Sequence, residues 1–175
     1  GMAKDVTRYT VKVFLYEIEP LIWRRFTIAG TSTFAALHSA LQKAMGWEDK
    51  EIHEFRYGKG KNLTDVIATP DPEIVVEGKF TDEGDLTLDD FMKHRRAPTR
   101  LLYRYDFIED WVHEVVIESK ADGKAGKPTL LEGERACPPE DCGGAWGYRN
   151  ALEGEVEWMD DDYDPEKFDA SAIKF

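Results

Sequence analysis

Two short segments hold the residues whose types and spacing are best suited to chemistry. DFIEDWVHE (106–114) places three acids ahead of a histidine, and CPPEDCGG (137–144) presents two acids between two cysteines. A carboxylate that holds a histidine in place prepares it to act as a general base or a metal ligand. The candidate catalytic residues are therefore Asp106, Asp110, His113, Glu140 and Asp141.

A zinc site is one interpretation of the second segment. Cys137 and Cys142 are the only cysteines of the chain, and with His113 and a carboxylate they offer a tetrahedral set of ligands for Zn²⁺. The four residues between them depart from the usual spacing of two, and no second cysteine pair follows. A local disulfide or redox pair, or a rigid loop stiffened by two prolines, are the alternatives.

Each histidine of interest also has a purely structural interpretation. Alternation in WVHEVVIES (111–119) turns His113 toward the core, where its ring needs a hydrogen-bond partner. His38 stands one turn from Phe34 and Leu41 in a predicted helix, so we expect a hydrogen-bonded residue at the boundary between helix and sheet. Other chemistry is not indicated, because none of the four serines lies in a glycine-flanked elbow and no phosphate-binding glycine loop is present.

Periodicity predicts the elements that must position these residues. Alternating patterns predict strands at 9–18, 21–29, 53–57, 73–80, 100–107 and 111–119. The apolar spacing at 34–45, between Thr33 and Gly46, predicts the main helix, and shorter helices follow at 88–94 and near 148–152. Residues 59–72 and 120–128 are predicted loops, and Asp164-Pro165 is predicted to open a last helical turn.

These elements predict the α+β class, with a mostly antiparallel sheet packed against one main helix and short peripheral helices. We expect a single domain over residues 2–175, with an acidic C-terminal segment at 153–175. Arg24 falls on the apolar face of its strand with Ile22 and Phe26, which predicts pairing with a carboxylate or a place at the sheet margin.

Charge and hydropathy limit the partners. The net charge of −12 opposes binding to a phosphate backbone, so direct nucleic-acid binding is not expected, and a basic protein partner is. No segment approaches the roughly 18 apolar residues of a membrane span, and no secretory signal is evident. We therefore predict a cytoplasmic protein without a membrane segment.

Four ordered motifs resemble the plasmid pRiA4b ORF-3-like family from about Tyr9 to Phe168. They are YTVKVFLYEIEPLIWRRF, TFAALHSALQKAMGW, YRYDFIEDWVHEVVIE and ERACPPEDCGGAWGY. The family strand usually reads YDFGDDWEHE, so Asp106, Asp110 and His113 match it, while Glu51 stands where a histidine is common. The resemblance implies an origin on a plasmid or mobile element, and a resolvase-like label carried by some members implies no serine chemistry here.

Two hypotheses follow. The first is a non-enzymatic binding or accessory module whose acidic surface takes a basic protein partner. The alternative is a metal-dependent hydrolase that uses the segments 106–114 and 137–144, with the divalent metal, Zn²⁺ among the possibilities, held by the acids, His113 or the cysteines.

Overall fold

The computed structural model describes residues 5–154 and 160–175, and the strands of that part form one eight-stranded sheet. The strands are β1 (Asp5–Leu15), β2 (Trp23–Ala29), β3 (His53–Tyr57), β4 (Asp65–Ala68), β5 (Phe80–Asp82), β6 (Thr99–Tyr105), β7 (Trp111–Lys124) and β8 (Thr129–Glu134). The helices are α1 (Phe34–Met45), α2 (Leu88–Met92) and α3 (Gly144–Leu152), with 3₁₀ turns at Glu83–Asp85 and Ala170–Ala172.

The sheet order is β5-β4-β3-β6-β7-β1-β2-β8. All neighbouring strands are antiparallel except β4 and β5, which are parallel, so the sheet is mixed. The predicted α+β class is confirmed. The architecture, however, is dominated by a sheet larger than the predicted strands alone would form, with few helices. None of the helices in the described ranges is long and apolar enough to cross a membrane.

Strict alternation builds the centre of the sheet. Tyr9, Val11 and Val13 of β1 are buried, while the residues between them are half-buried on the opposite face. β2 follows through a short turn and pairs so that Val11 faces Phe26. Because a slip of one residue would move every apolar side chain to the wrong face, burial on one side holds this register.

Helix α1 begins and ends where the sequence predicts. The Thr33 hydroxyl accepts a hydrogen bond from the Ala36 backbone N–H, and Gly46 ends the helix with a φ of 111°, a left-handed conformation that suits glycine. Phe34, Leu37 and Leu41 are fully buried in the core. Complete burial of each such side chain contributes about 2 kcal/mol, which fixes the helix face that carries His38.

Arg24 has a partner that was not expected. Its side chain is buried, and instead of a carboxylate it contacts backbone carbonyl oxygens, among them those of Ala44 (2.7 Å) and Glu134 (3.0 Å). The Ala44 carbonyl belongs to the last turn of α1, where oxygens lack partners within the helix and carry partial negative charge. Arg24 therefore ties the end of α1 to strands β2 and β8.

The predictions for the segments between residues 59 and 80 are wrong in two places. The predicted loop 59–72 contains β4, and the predicted strand 73–80 is mostly turn, contributing only Phe80 to β5. Val75 illustrates the reason, because 72% of its surface is exposed and no buried face rewards an extended conformation there. β4 forms despite its short sequence because Val66 and Ile67 are completely buried.

Two further predictions need correction. β7 continues through the polar residues 120–124, predicted as a loop, because they pair with the first residues of β1. Helix α2 was expected to be peripheral, yet Leu88 and Phe91 are buried in the core; the Thr87 side chain caps its N-terminus. Backbone pairing in β7 and side-chain packing in α2 therefore outweigh the preferences of the local sequence.

The C-terminal segment lies against β2 and the edge strand β8. Residues 155–159 of the predicted acidic segment 153–175 are outside the described residues. In the remainder, Asp164-Pro165 opens a turn rather than a helix, and the Phe168 ring lies 4.3 Å from the Arg24 guanidinium. Phe175 packs at 5.7 Å from Phe26, so the chain end adds apolar cover to the core.

Candidate functional site

The turn between β6 and β7 is built by two aspartates. Asp106 is buried, and its Oδ1 accepts the backbone N–H groups of Ile108 (3.0 Å) and Glu109 (3.1 Å). Asp106 and Asp110 have φ values of 65° and 58°, a left-handed conformation that aspartate tolerates better than most residues. This geometry leaves Ile108 at the tip with 92% of its surface exposed.

Asp110 does not orient His113. Its carboxylate forms an ion pair with the Arg104 guanidinium on the neighbouring strand. The predicted acid–base pair of Asp110 and His113 therefore has no contact in the structure: the acid is half-exposed, whereas the ring is fully buried.

His113 lies in a dry part of the core. Its Nε2 accepts a hydrogen bond from the Trp47 indole N–H at 3.0 Å, and its Nδ1–H donates to the Tyr103 carbonyl at 2.9 Å. Burial lowers the pKa of His113 to about 4, so the ring is neutral near pH 7. Both ring nitrogens are occupied by neutral partners, as expected of a structural histidine.

The two acids of segment 137–144, Glu140 and Asp141, have different hydrogen-bond partners. Glu140 accepts the Tyr105 hydroxyl at 2.6 Å and the Glu48 backbone N–H at 2.5 Å, which anchors the loop to the end of β6. Asp141 accepts a hydrogen bond from the Lys50 ammonium at 2.9 Å. Because burial and this hydrogen bond to Glu140 raise the pKa of Tyr105, the phenol remains a donor.

Cys137 and Cys142 are free thiols. Burial raises the pKa of Cys142 to about 12 and also raises that of Cys137, so both sulfurs are protonated near pH 7. Within residues 5–154 and 160–175, two groups of ligand atoms are close enough to hold a metal ion, and neither contains His113, Cys137 or Cys142. The structure thus does not bring the predicted zinc ligands together.

The two segments do meet through their acids. Carboxylate oxygens of Asp106, Asp141 and Glu51 lie within 4.8 Å of one another, and they line a groove of about 160 Å³ together with Ile108 and Glu109. Glu109 also accepts the Gly143 backbone N–H at 2.8 Å. Gly144 makes this approach possible, because a Cβ there would lie 2.3 Å from the Glu109 carbonyl oxygen.

We call this face the acidic end. It comprises the carboxylates of four neighbouring loops: Glu48, Asp49, Glu51, Asp71, Asp106, Glu109, Glu140 and Asp141. Lys50 is the basic residue that these acids hold, because its ammonium lies 2.9 Å from Asp141 and 3.1 Å from Glu48. Two apolar side chains project from the segments that form it, Ile108 and Trp146, the latter with 70% of its surface exposed.

A second cluster was not predicted as a site. We call it the histidine cluster. It comprises His38 of α1, His53 of β3 and Asp49, which lies in the loop before β3. The two imidazole rings stack with centroids 3.4 Å apart and an interplanar angle of 6°. Asp49 and His53 line a cavity of about 290 Å³ that also reaches Glu51 and Asp71, so the cluster borders the acidic end.

Hydrogen bonds hold His38 in a closed ring. The Gln42 amide donates to the Tyr103 hydroxyl at 2.8 Å, and that hydroxyl lies 2.6 Å from His38 Nδ1. His38 Nε2 lies 2.8 Å from the Asp49 carboxylate, whose backbone N–H donates back to Gln42 at 2.9 Å. The predicted hydrogen-bonded position of His38 between helix and sheet is confirmed. Burial, followed by the charge of His53, lowers the pKa of His38.

His53 has a carboxylate of its own. Its Nε2 lies 2.7 Å from Glu83, a buried acid that also accepts the Thr69 hydroxyl. Burial by itself would raise the pKa of Glu83, but the hydrogen bonds from His53 and Thr69 outweigh it and lower that pKa. Glu83 is therefore ionised, and the His53 Nε2 proton points to it.

Sequence signals for the histidine cluster are weak because its members come from separate elements. His38 and Tyr103 are 65 positions apart, and His53 and Glu83 are 30 apart. The pairing of β3 with β6, which sets His53 opposite Tyr105, brings them together. Strand pairing across such distances is not visible in a local pattern.

Comparison with known proteins shows similarity at the level of the family, the sequence and the fold. A family model described as "Plasmid pRiA4b ORF-3-like protein" matches residues 7–172. "Uncharacterized protein y4hQ" of Sinorhizobium fredii (strain NBRC 101917 / NGR234) is 37% identical over 155 residues, which cover 87% of this chain and 74% of that protein. The crystal structure of a protein of unknown function, MM3350 from Methanosarcina mazei Go1, has a TM-score of 0.82 at 33% identity, covering 97% of this chain and 99% of that chain.

Proposed function

Since the chain belongs to the plasmid pRiA4b ORF-3-like family, whose name specifies no reaction, we propose from the site geometry that it is a binding module. In this proposal the acidic end holds a Lys- or Arg-rich segment of a protein partner, without catalysis, and the module is an accessory protein of a plasmid or mobile element. The observation that carries it is the convergence of carboxylates from four loops beside exposed apolar side chains.

Lys50 shows how a basic side chain fits this surface. Its ammonium bridges Asp141 and Glu48 while 42% of its side chain remains exposed. A partner lysine has a comparable exposed acceptor in Glu51, which lines the groove and contacts no cation among the described residues. Exposed ion pairs contribute only about 0.2–1 kcal/mol each, so the carboxylates supply orientation and rate of association more than affinity.

Affinity needs apolar anchors, and Ile108 and Trp146 have the required exposure. Large aromatic and aliphatic residues that become buried on binding supply most of the energy of typical interfaces. Trp146 lies two residues after Gly144, whose backbone packs against Glu109 next to Ile108. The proposed interface therefore combines a charged groove with an apolar margin.

The basic side chains are distributed in a way that favours a protein partner over nucleic acid. Arg24 is buried, and Arg25 is paired with Glu118 at 2.7 Å. Another basic group, Lys59, His94, Arg95 and Arg100, lines a cavity of about 470 Å³ at the opposite ends of β3 and β6. Because Arg24 is buried and Arg25 is paired, neither extends this basic cavity into the longer track that a phosphate backbone requires.

A labelled Lys- and Arg-rich peptide tests the proposal by fluorescence anisotropy. We expect binding that weakens with added salt, a loss of about tenfold or more for Trp146→Ala or Ile108→Ser, and a loss of roughly three- to tenfold for Glu51→Gln with Asp141→Asn. Matched controls at the far edge of the sheet, Leu131→Ser and Glu134→Gln, should bind as the unaltered protein does. Equal losses in both sets, or equal binding of an acidic peptide, would contradict the proposal.

One observation favours the alternative, a metal-dependent hydrolase. The oxygens of Glu51, Asp106 and Asp141 form a carboxylate group of the kind that suits Mg²⁺ or Mn²⁺. His113 is locked in the core and offers no base to such a centre. Stoichiometric Mn²⁺ binding that Asp106→Asn abolishes, together with hydrolysis of a model phosphoester by the same preparation, would favour this alternative over the binding module.

A further inference from the structure

The histidine cluster has the donor set of a transition-metal centre. One ligand atom from each of His38, Asp49 and His53 lies within 4.8 Å of the other two. Two imidazoles and one carboxylate, with a position left open, are ligands that Zn²⁺ and other divalent transition metals accept. We propose that His38, Asp49 and His53 bind a divalent transition-metal ion, for which Zn²⁺ is the appropriate probe. This inference goes beyond the proposed function and does not depend on it.

The two imidazole rings lie parallel, 6° apart with centroids 3.4 Å from each other, so one ring must rotate before both can direct a lone pair at the same ion. His53 is already held in the required tautomer. Its Nε2–H points to the ionised Glu83 at 2.7 Å, so the lone pair of the neutral ring lies on Nδ1. Metal-binding histidines commonly donate their other ring N–H to a carboxylate, which fixes the tautomer and strengthens the ligand. Glu83 supplies that contact from the buried 3₁₀ turn and is itself held by Thr69. The pair therefore has the arrangement of a metal ligand and its outer partner.

His38 and Asp49 are close to the spacing that an ion requires. Their contact atoms, Nε2 and Oδ1, are 2.8 Å apart. Ligands at the usual Zn–N and Zn–O distances in a tetrahedron are roughly 3.3 Å from each other, so this pair needs to open by about half an ångström. Asp49 lies in a loop with half of its side chain exposed, and it can make this movement without disturbing α1.

The proton balance of the site is simple. His38 donates its Nε2–H to the Asp49 carboxylate and accepts the Tyr103 hydroxyl on Nδ1. When Nε2 binds the ion, that proton leaves and one is gained on Nδ1, so the ring changes tautomer with no net change in protons. Nδ1–H then donates to the Tyr103 oxygen, which has a lone pair for it beside the one used by Gln42. The Tyr103 hydroxyl proton loses its acceptor, so the ring of hydrogen bonds opens at one point.

The cavity beside the cluster leaves room for a further ligand. Asp49 and His53 form one wall of its volume of about 290 Å³, and Glu51, Thr69 and Asp71 complete it. A water molecule or a small anionic group can reach the ion from this side. The cluster thus resembles an open centre with three protein ligands rather than a closed structural centre with four.

Titration of chelator-treated protein with Zn²⁺, in competition with a chromophoric chelator, tests the proposal. We expect one tightly bound equivalent, an affinity at least 100-fold lower in His53→Gln, and a loss of about tenfold or more in Asp49→Asn, where asparagine retains the left-handed backbone. Glu83→Gln, which changes only the outer partner of His53, should lower affinity by about 10- to 100-fold. Co²⁺ in place of Zn²⁺ should give an absorption band that His53→Gln removes.

Two control variants locate the ion. His94→Gln removes an exposed histidine elsewhere, and Asp122→Asn removes an exposed carboxylate from the distant end of β7; both should leave Zn²⁺ affinity unchanged. Chemical denaturation in the presence of chelator should show that His53→Gln is folded, and Zn²⁺ should raise the melting temperature of the unaltered protein but not of this variant. The absence of a stoichiometric equivalent overturns the proposal. So does binding that His53→Gln retains, or that either control removes.

Discussion

His113 and the histidine cluster both contact Tyr103, but they lie in different environments. The Tyr103 carbonyl holds His113, and the Tyr103 hydroxyl holds His38. His113 is fully buried and has only neutral partners, whereas His38 and His53 each contact a carboxylate and His53 lines a cavity. A ring between neutral partners has its proton fixed, while a ring beside a carboxylate and solvent can exchange its proton for a ligand. The charge of the neighbours, rather than the prominence of a motif, separates scaffold from candidate site.

The largest effect should come from removal of the His113 ring. His113→Ala leaves the Trp47 indole N–H and the Tyr103 carbonyl without a partner and opens a cavity, which should lower the free energy of unfolding by about 3–5 kcal/mol. His53→Gln lies beside solvent and retains a donor for Glu83, so it should cost about 1 kcal/mol or less. Urea denaturation of both variants measures the difference. Equal losses would remove the distinction between the two environments.

The pH dependence of stability should show a contribution from His113. Its pKa is about 4 in the folded chain and about 6.5 when unfolded, so between these values the unfolded chain binds more protons. The free energy of unfolding therefore decreases as the pH falls from 6.5 to 4, by about 3 kcal/mol from this residue, and does not depend on it above pH 6.5. His113→Gln can keep both hydrogen bonds without titrating. Urea denaturation at several pH values should show a smaller decrease for this variant, and an unchanged decrease would contradict the assignment.

Local signals account for the parts of this structure that the sequence predicts well. Thr33 and Gly46 mark the ends of α1 within a few residues, and alternation along β7 places His113 inside. Asp106 and Asp141, which the sequence offers separately as candidate residues, meet in the structure, although no pairing of these two was predicted. Glu51, the third member, was noted only through the family resemblance.

The parts of the structure that the sequence does not predict depend on contacts between residues far apart in the chain. The parallel partner of β4 begins at Phe80, after a long turn that composition alone marks as a strand. The histidine cluster needs α1, β3 and the 3₁₀ turn to be assembled before its members touch. Such contacts are specified by burial across the whole sheet, so no short window of sequence contains them.

The smallest predicted effect separates the two environments at the residue they share. Tyr103→Phe retains the backbone carbonyl that holds His113 but removes the hydroxyl between Gln42 and His38. The buried amide of Gln42 and the His38 ring nitrogen lose one partner each, which should lower the free energy of unfolding by about 1–2 kcal/mol. The decrease in stability between pH 6.5 and 4 that His113 contributes should persist, because its own contacts are unchanged. Urea denaturation across this pH range checks both statements, and the loss of that contribution in Tyr103→Phe would show that the two environments act as one network.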